Sequence, residues 1–487
     1  MHYEAPRRGK RPHVLCGRAP PPCRFPDSRR LHPRPSQGPS TDTEPSMRIL
    51  FMTQVVPYPP DAGPKVKTWQ VLRYLHARGH RVTLVSFVRP EEEAGLLVLH
   101  ELCEAVHGVP IRRSRLRDAG YWLKAQLSGR PFLVERDDLV GMRHLVGELL
   151  VGGTFDAVHA DQITMAQFAM DPIGGRGNAR KTAKRGMTPH KPRLRDCLEV
   201  FDAHNAVWTI LERMEANAPP PLRPLLAQET RRVKYHEGLI VNRFDHTLAV
   251  SETDRRALLE SSRAAAFGGD GSGDRSPGEG RPSIRVIPIA IDTDRLAPVE
   301  RMPLGMDVFT MGSMHYPPNA DGIRWFAREV FPRVREALPS ASLTIAGRKP
   351  PKDLVDWASD NSRGLRIEGY VPDLVPFLAR AAVVVVPVRA GGGMRVRILE
   401  AFSRGVPVIT TTVGLEGIEA VPGRDVLVAD DPSGFAEALI RLLQDRALQA
   451  QLAEAGRRLA VERYDWRVAL RALDTIYPAK PSKCDEP

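Results

Sequence analysis

The sequence is poor in cysteine and has no long hydrophobic run. Only five cysteines occur among 487 residues, and no two of them form a C-x-x-C pair. This scarcity argues against a disulfide framework and against a cysteine zinc site, and it favours a reducing compartment. The longest apolar stretches, such as AAVVVVPV at 381–388, fall well short of the roughly 20 residues that span a bilayer. We therefore expect a cytoplasmic protein, either soluble or peripheral to the inner face of a membrane.

Acidic residues are too few to balance the basic ones, and the formal net charge is +12. The excess lies in two segments, 1–46 and 176–196, whereas the rest of the chain is close to neutral. A nucleic-acid-binding protein carries its basic charge on the folded body, so this distribution argues against a nucleic-acid partner. For segment 176–196 two interpretations stay open: contact with anionic phospholipid or a lipid-pyrophosphate acceptor, or a solvated insertion.

Four segments lack the composition of a folded core. Residues 1–46 are rich in proline and arginine, so we expect a disordered leader, or an untranslated stretch before a true start at Met47. Residues 173–196 and 267–283 are polar and glycine-rich and are predicted to be loops. Residues 479–487 are predicted to be a tail.

Between Met47 and residue 478 the chain alternates apolar runs with helix-like stretches. The runs are continuous, which is typical of parallel strands covered on both faces. We predict an α/β fold of two doubly wound, Rossmann-like domains, 47–295 and 296–465, that face each other across a cleft. A last helix, 466–478, is predicted to return toward the first domain. Ligands of such sheets bind at the carboxyl ends of the strands.

One stretch, AGGGMRVRILEAFSRGVPVIT at 390–410, combines features suited to a nucleotide. A helix is predicted to begin near Gly393, and free N–H groups at a helix start attract phosphate. The preceding glycines allow close backbone approach, and Arg395 and Arg397 can bind phosphate through two hydrogen bonds each. Glu400, about one turn later, can accept both hydroxyls of a ribose. From spacing alone, a solvated face with a surface acid is an equal alternative.

The same stretch resembles glycosyltransferase family 4, which has the glycosyltransferase B fold. The family pattern G-x-R-L-K-x-L-E-A-M-A-x-G-x-P-V-V compares with GMRVRILEAFSRGVPVI at 393–409. Segments 57–87, 201–214 and 311–334 resemble more closely a bacterial subgroup linked to exopolysaccharide assembly. The resemblance extends over about residues 47–478 apart from the two loops.

The resemblance implies roles on the donor side of the cleft. Glu400 would hold the nucleotide ribose, Arg395 and Arg397 would neutralise the diphosphate, and Tyr370 and Val371 would flank the base. Further donor contacts are assigned to Gly312, Gly391, Gly392, Gly393 and Met394.

On the acceptor side, Gly63 matches a glycine loop near the donor phosphates and the acceptor. His204 matches a histidine beside the reacting sugar, and Asn205 follows it as a further substrate contact. Lys65 and Lys67 follow the glycine loop and are expected to meet a phosphate-bearing acceptor.

The chain departs from the family pattern at two places. Gly392 stands where the first glutamate of the E-x7-E motif is expected, so a contact to the donor sugar is absent or made by backbone amides. GSMHYPPN at 312–319 replaces an Arg/Lys pair found in many members. DTD at 292–294 has the form of a metal-binding motif of another glycosyltransferase fold, and we interpret it as part of a linker. The sugar is therefore left open, and no metal and no cofactor besides the donor are expected.

Together these observations predict a retaining, metal-independent, hexosyltransferase-like enzyme that moves a sugar from a nucleotide-diphosphate sugar to a glycan or lipid-linked acceptor. The expected setting is polysaccharide, exopolysaccharide or glycolipid synthesis. Two alternatives remain open: a nucleotide-sugar epimerase of similar fold, and a catalytically silent protein that binds nucleotide sugars.

Overall fold

The computed structural model describes residues 47–171, 197–216, 218–267, 282–302 and 305–478. The predicted leader, the tail, the loop at 173–196 and all but the ends of the loop at 267–283 lie outside the described residues.

The first sheet has seven parallel strands in the order β3-β2-β1-β4-β5-β6-β7. Its central strands are almost wholly buried, as expected of apolar runs covered by helices on both faces. The strands are β1 (Arg48–Thr53), β2 (Arg81–Val88), β3 (Ala105–Pro110), β4 (Ala157–Asp161), β5 (Leu198–Ala203), β6 (His246–Ala249) and β7 (Ile284–Val286). The helices among them are α1 (Gly63–Ala77), α2 (Glu93–Leu99), α3 (Arg115–Ser128), α4 (Phe132–Asp137), α5 (Val140–Gly152), α6 (Ile163–Met170), α7 (Val207–Ala216), α8 (Arg223–Arg243) and α9 (Glu252–Phe267).

The second sheet has six parallel strands in the order β10-β9-β8-β11-β12-β13. These are β8 (Asp307–Met311), β9 (Ser342–Ala346), β10 (Leu365–Gly369), β11 (Ala381–Val386), β12 (Val408–Thr410) and β13 (Leu427–Val428). The accompanying helices are α10 (Pro317–Trp325), α11 (Phe331–Ala337), α12 (Lys352–Ala358), α13 (Val375–Arg380), α14 (Val396–Ser403), α15 (Thr412–Leu415), α16 (Pro432–Gln444) and α17 (Arg446–Leu459). The predicted fold class, two doubly wound parallel sheets, is confirmed.

The last described residues pack against the first sheet. The stretch predicted as one helix, 466–478, is a short helix α18 (Trp466–Ala469) followed by a 3-10 turn at Arg471–Thr475. Tyr477 is buried in the same apolar cluster as the β1 side chains, and its hydroxyl lies 2.7 Å from Nδ1 of His159 in β4. This contact ties the last described residues to the centre of the first sheet.

Among the described residues no helix is long and apolar enough to cross a membrane.

Candidate active site

Both sheets reverse strand order at an internal point, and crevices for ligands form at the carboxyl ends of the strands there. In the first sheet this point lies between β1 and β4, and in the second between β8 and β11. His204 directly follows β5, the strand beside β4, and Gly312 directly follows β8. The glycine stretch 391–393 follows β11 and leads into α14.

Two helix N-termini meet across the cleft. Gly63 begins α1, Val396 begins α14, and a Cβ built on Gly63 would lie 3.7 Å from Val396 Cγ2. Neither helix has a side-chain cap or an acidic residue in its first turn. Free N–H groups and partial positive charge from both helices therefore converge at one place, which suits an anion. The second helix was expected to begin near Gly393, but it begins at Val396: Gly393 has a left-handed φ of 83°, and Arg395, directly before the helix, has φ −91° and ψ 88°, which are not helical.

Arg395 lies directly before α14, and two of its three guanidinium nitrogens have no hydrogen-bond partner among the described residues. Nη1 donates to the carbonyl oxygen of Gly393 at 2.8 Å and to that of Gly392. Nε and Nη2 are buried and have no hydrogen-bond partner. Burial, with a smaller contribution from Arg213, lowers the pKa of this guanidinium. These two nitrogens are therefore free to receive an oxygen acceptor from a ligand.

Arg397 is held by the edge of the second sheet. Nη1 donates to the Met311 carbonyl at 3.1 Å, Nη2 donates to Asn319 Oδ1 at 3.0 Å, and Nε has no partner. A Cβ on Gly312 would overlap Nη1, so a glycine at this position allows the guanidinium to lie there. Burial and then the charge of Arg395 lower the pKa of Arg397 to about 9.

Neither guanidinium is paired directly with a carboxylate of the described residues, although the charge of Glu416 acts on Arg395 and that of Glu400 acts on Arg397. No carboxylate forms an ion pair with either arginine in the part of the chain that the structure describes. A buried cation without an opposite charge is costly, and two adjacent ones also repel each other. A polyanionic ligand would remove both costs.

Glu400 lies one turn further along α14 and is half-buried. Its side chain forms no hydrogen bond or ion pair with the described residues, and burial raises its pKa to about 7 despite the opposing charges of Arg404 and Arg397. Such a carboxylate is available to accept hydroxyl groups.

The glycine stretch 391–393 contacts residues of the first domain. A Cβ on Gly393 would overlap Asn205 Oδ1. Arg213 donates to the Gly391 carbonyl at 2.6 Å and binds both carboxylate oxygens of Glu416 at 2.7 and 2.9 Å. The loop is therefore enclosed from both sides, and it has no room for larger side chains.

The departure at Gly392 has a steric reason. A Cβ on Gly392 would lie 3.0 Å from Ile210 Cγ1, closer than ordinary contact, so a glutamate there would require Ile210 to move. The side chain of Met394 is buried, and its sulfur accepts the Ile289 N–H at 3.4 Å. Only backbone groups of these two residues are left to meet a ligand.

His204 is oriented by a carboxylate that sequence analysis missed. Its Nε2 lies 2.6 Å from Asp161 Oδ1 and acts as the donor because a carboxylate only accepts. The other oxygen of Asp161 accepts from Thr53 at 2.7 Å and Thr68 at 2.9 Å. His204 Nδ1 is buried without a partner. The available signal was the position of Asp161 at the carboxyl end of β4, beside β5.

Lys67 does not reach the acceptor side of the cleft, contrary to expectation. It is buried in an ion pair with Asp202, one residue from the end of β5. Burial acts to raise the pKa of Asp202, but Lys67 and then His159 hold it below its usual range. His159, Asp161 and Asp202 are close enough to hold a metal ion, yet the ammonium of Lys67 already serves as the cation for this group.

The remaining predicted residues lie near the cleft rim. Lys65 is paired with Glu92 at 3.2 Å and Asp61 at 3.8 Å. Tyr370 is 56% exposed, and the guanidinium of Arg348 lies 4.1 Å from its ring centroid. Val371 is half-buried and packs against the apolar cluster of the second sheet.

The DTD sequence holds no open site. Asp292 pairs with Arg73 at 2.7 Å and Asp294 pairs with Arg467 at 2.7 Å. Thr293 donates its hydroxyl to Asp465. These contacts agree with its interpretation as a linker.

Comparison with known proteins finds a family model that matches the part of the chain around the second sheet. Residues 305–445 match the family model "Glycosyl transferases group 1". Glycogen synthase of Mycobacterium tuberculosis is 28% identical over 211 residues, which is 42% of this chain and 50% of that protein. The chain thus spans about half the length of the curated relatives it matches.

Solved structures match over most of the chain. Anabaena HepE in complex with UDP and glucose has a TM-score of 0.56 at 14% identity, covering 88% of this chain and 99% of that one. Sucrose-phosphate synthase of Thermosynechococcus elongatus has a TM-score of 0.58 at 14% identity, covering 88% and 98%. At these identities the likeness shows the fold. The chain therefore has the glycosyltransferase B fold, and its residues 305–445 carry the sequence pattern of the group 1 glycosyl transferases.

Proposed function

We propose that the protein is a retaining glycosyltransferase that uses a nucleotide-diphosphate sugar as donor. One observation carries the proposal: two buried guanidiniums, Arg395 and Arg397, keep unpartnered N–H groups where the N-termini of α1 and α14 meet. A diphosphate supplies the negative charge and the acceptor oxygens that this place lacks. As the donor bond breaks, negative charge grows on the diphosphate, and preorganised donors of this kind stabilise it.

The rest of the donor would extend along the second sheet. Glu400 would accept the ribose hydroxyls, and the backbone around Tyr370 and Val371 would flank the base. Backbone groups of Gly312, Gly391, Gly392, Gly393 and Met394 would complete the donor contacts. Because HepE was solved with UDP and glucose, a UDP-linked sugar is the first donor to test.

The transferred sugar would lie against the first domain. Asp161 fixes the His204 ring, which leaves Nδ1 as the atom that binds a hydroxyl of the reacting sugar. Gly63 and Asn205 border the same space. No carboxylate is assigned as a base, so we propose that the acceptor attacks on the face from which the diphosphate leaves, with retention of configuration.

The acceptor is proposed to be a glycan or lipid-linked sugar in exopolysaccharide or glycolipid synthesis at the cytoplasmic face of the membrane. The sequence resemblance to glycosyltransferase family 4, and within it to an exopolysaccharide subgroup, is the support for this setting. Lys65, at 16% side-chain exposure and paired with Glu92 at 3.2 Å, would turn to meet a phosphate on the acceptor. We propose hexosyl transfer without a metal, because the two arginines would supply the positive charge that the leaving group needs.

Calorimetric titration with UDP, ADP and GDP, followed by UDP-glucose, tests the donor site. We expect one nucleotide to bind, and Glu400→Ala to weaken it by about tenfold or more through loss of charged hydrogen bonds. Glu437→Ala, an exposed acid on α16, is the control and should bind as wild type. Unchanged binding by Glu400→Ala would contradict the ribose assignment.

Incubation with UDP-glucose tests the reaction class. Slow release of glucose with retained anomeric configuration supports a retaining transferase. A changed nucleotide sugar without any acceptor would show an epimerase instead. Tight binding without any turnover would favour the catalytically silent alternative, for which Gly392 is the specific observation.

A further inference from the structure

Helix α3 (Arg115–Ser128) presents its apolar residues to the outside. Leu116, Leu123 and Leu127 are 89%, 56% and 83% exposed, and Ala125 is the one buried residue of the helix. With about 3.6 residues per turn, the three leucines share one stripe, and Ala125 falls on the opposite side. In most surface helices the apolar stripe packs against the core, whereas in α3 it faces outward.

The charges around this stripe have one sign. Arg115 and Arg117 are exposed and form no ion pair with the residues that the structure describes, and the same holds for Arg112 just before the helix. Asp118, the only acid of the helix, is half-buried on the side toward the body. The outward half of α3 therefore combines leucines with unpaired arginines and has no carboxylate.

A basic cavity begins where α3 ends. It measures about 410 Å³, and its lining includes Gly129, Arg231, Arg232 and Arg130, the last of which is paired with Glu135 at 3.1 Å and Asp138 at 2.9 Å. Arg232 also donates a hydrogen bond to Gln126 of α3 at 3.1 Å, so a residue of the cavity lining contacts the helix directly. Such a lining suits an anionic phosphate group.

We propose that the outward face of α3, defined by Leu116, Leu123, Leu127, Arg115 and Arg117, docks on the surface of an anionic lipid bilayer. An amphipathic helix with leucines on one side and arginines at the edges lies in the plane of the interface, with its apolar side chains among the upper acyl chains. The arginines meet lipid phosphates at the surface, where each basic residue adds attraction.

Two other partners for this face, the basic segments of the same chain and a second copy of the protein, are electrostatically less suitable. The segments 1–46 and 176–196 are the most basic of the chain and would be repelled by the same arginines. A second copy docked through a twofold axis would bring its own arginines against these. The proposal does not rest on the proposed reaction, because α3 contributes no residue to the donor site.

Flotation of the full chain with vesicles tests the docking surface. We expect binding to phosphatidylcholine vesicles that contain phosphatidylglycerol, much weaker binding to phosphatidylcholine alone, and loss of binding as salt rises. The triple variant Leu116→Gln, Leu123→Gln, Leu127→Gln should lower the partition coefficient at least about tenfold. These side chains are exposed, so the thermal unfolding midpoint should stay unchanged.

A matched triple variant in the second half of the chain is the control. Met302→Gln, Val421→Gln, Val461→Gln changes side chains that are 60%, 46% and 39% exposed, and should bind vesicles as wild type. Trp122 of α3, 43% exposed, should be quenched by lipids brominated on their acyl chains, and Trp122→Phe should remove that signal without loss of binding.

Three results would overturn the proposal. Equal vesicle binding by the leucine variant and wild type would assign the binding to the basic segments instead. Absence of binding by wild type to either vesicle would exclude a lipid surface. A wild-type dimer in light scattering that the leucine variant converts to a monomer would identify a second copy as the partner.

Discussion

Replacing Arg395 by methionine separates a ligand-binding role from a structural one. Methionine keeps much of the length and the apolar stem but removes the guanidinium. If Arg395 serves the fold, the free protein should lose stability. If it serves an anionic ligand, affinity should fall while the free protein stays about as stable as before.

The structure sets the size of both effects. The ligand would lose hydrogen bonds to two unpartnered atoms, Nε and Nη2, each worth about 1.5–3 kcal/mol when the group is charged. The sum of about 3–6 kcal/mol corresponds to about a hundredfold to ten-thousandfold in the dissociation constant. In the free protein, removal of a buried cation that forms no ion pair is favourable, and loss of the bonds to the Gly392 and Gly393 carbonyls, about 1 kcal/mol each or somewhat more, offsets that gain.

The assay is thermal unfolding with and without UDP, together with calorimetric titration. Wild type at a hundredfold excess of UDP over its dissociation constant should gain about 2.7 kcal/mol of unfolding free energy, and the variant should gain almost none. Arg389→Met is the matched control, since Arg389 is 42% exposed and already paired with Asp321 at 3.0 Å. A fall in UDP affinity of less than tenfold in Arg395→Met, or a collapse of the free protein's unfolding midpoint, would refute the reasoning.

Three further sets of predictions concern Gly393, Glu400 and the contact between Asp161 and His204. Gly393→Ala should weaken UDP binding and raise the radius of gyration in X-ray scattering, because its Cβ overlaps Asn205; Gly423→Ala, with φ of 82° and no atom nearby, carries the same backbone strain and should do neither. Since the free Glu400 has its pKa raised to about 7, ribose binding should tighten as pH rises through 7, and Glu400→Gln should flatten that part of a UDP titration series. Because the pKa of Glu400 is about 4.5 in the unfolded chain and about 7 in the folded one, the folded state binds more protons between these two pH values. The unfolding free energy of wild type should therefore fall as pH rises from about 4.5 to 7. In Glu400→Gln, which lacks this titrating group, the fall should be less steep. Asp161→Asn should lower kcat more than it raises KM for the donor, because the amide can donate to the histidine and reverse its tautomer; equal kcat and a changed KM would contradict a positioning role.

Much of the fold was predictable because its signals are local. The run at 381–386 is continuous in the sequence and is fully buried as β11, which is what a strand covered on both faces requires. For the stretch that ends in Glu400, the spacing of glycine, arginine and glutamate left a solvated face as an equal alternative, and the family resemblance favoured a nucleotide site; the structure places Arg395, Arg397 and Glu400 at the start and in the first turns of one helix. The domain limits and the roles of the site residues stay predictions.

Other features could not be predicted because they depend on which strands lie side by side. His204 meets Asp161, 43 residues away, only since β4 and β5 are neighbours with Asp161 opposite Asp202. Lys67 was expected to meet a phosphate-bearing acceptor, but Asp202, 135 residues away, holds it in the interior. The leucines of α3 have the spacing of a buried stripe, and the packing of the domain leaves them outside.

The sequence by itself determined the strands, most helices and the residue types of the stretch 390–410, because backbone preference and hydrophobic periodicity act over a few residues. Only the tertiary structure decided which charges are paired and which are left without a partner. That difference follows from the cost of burying a charge, which depends on every neighbouring group that the fold brings within a few ångströms, however distant in the chain.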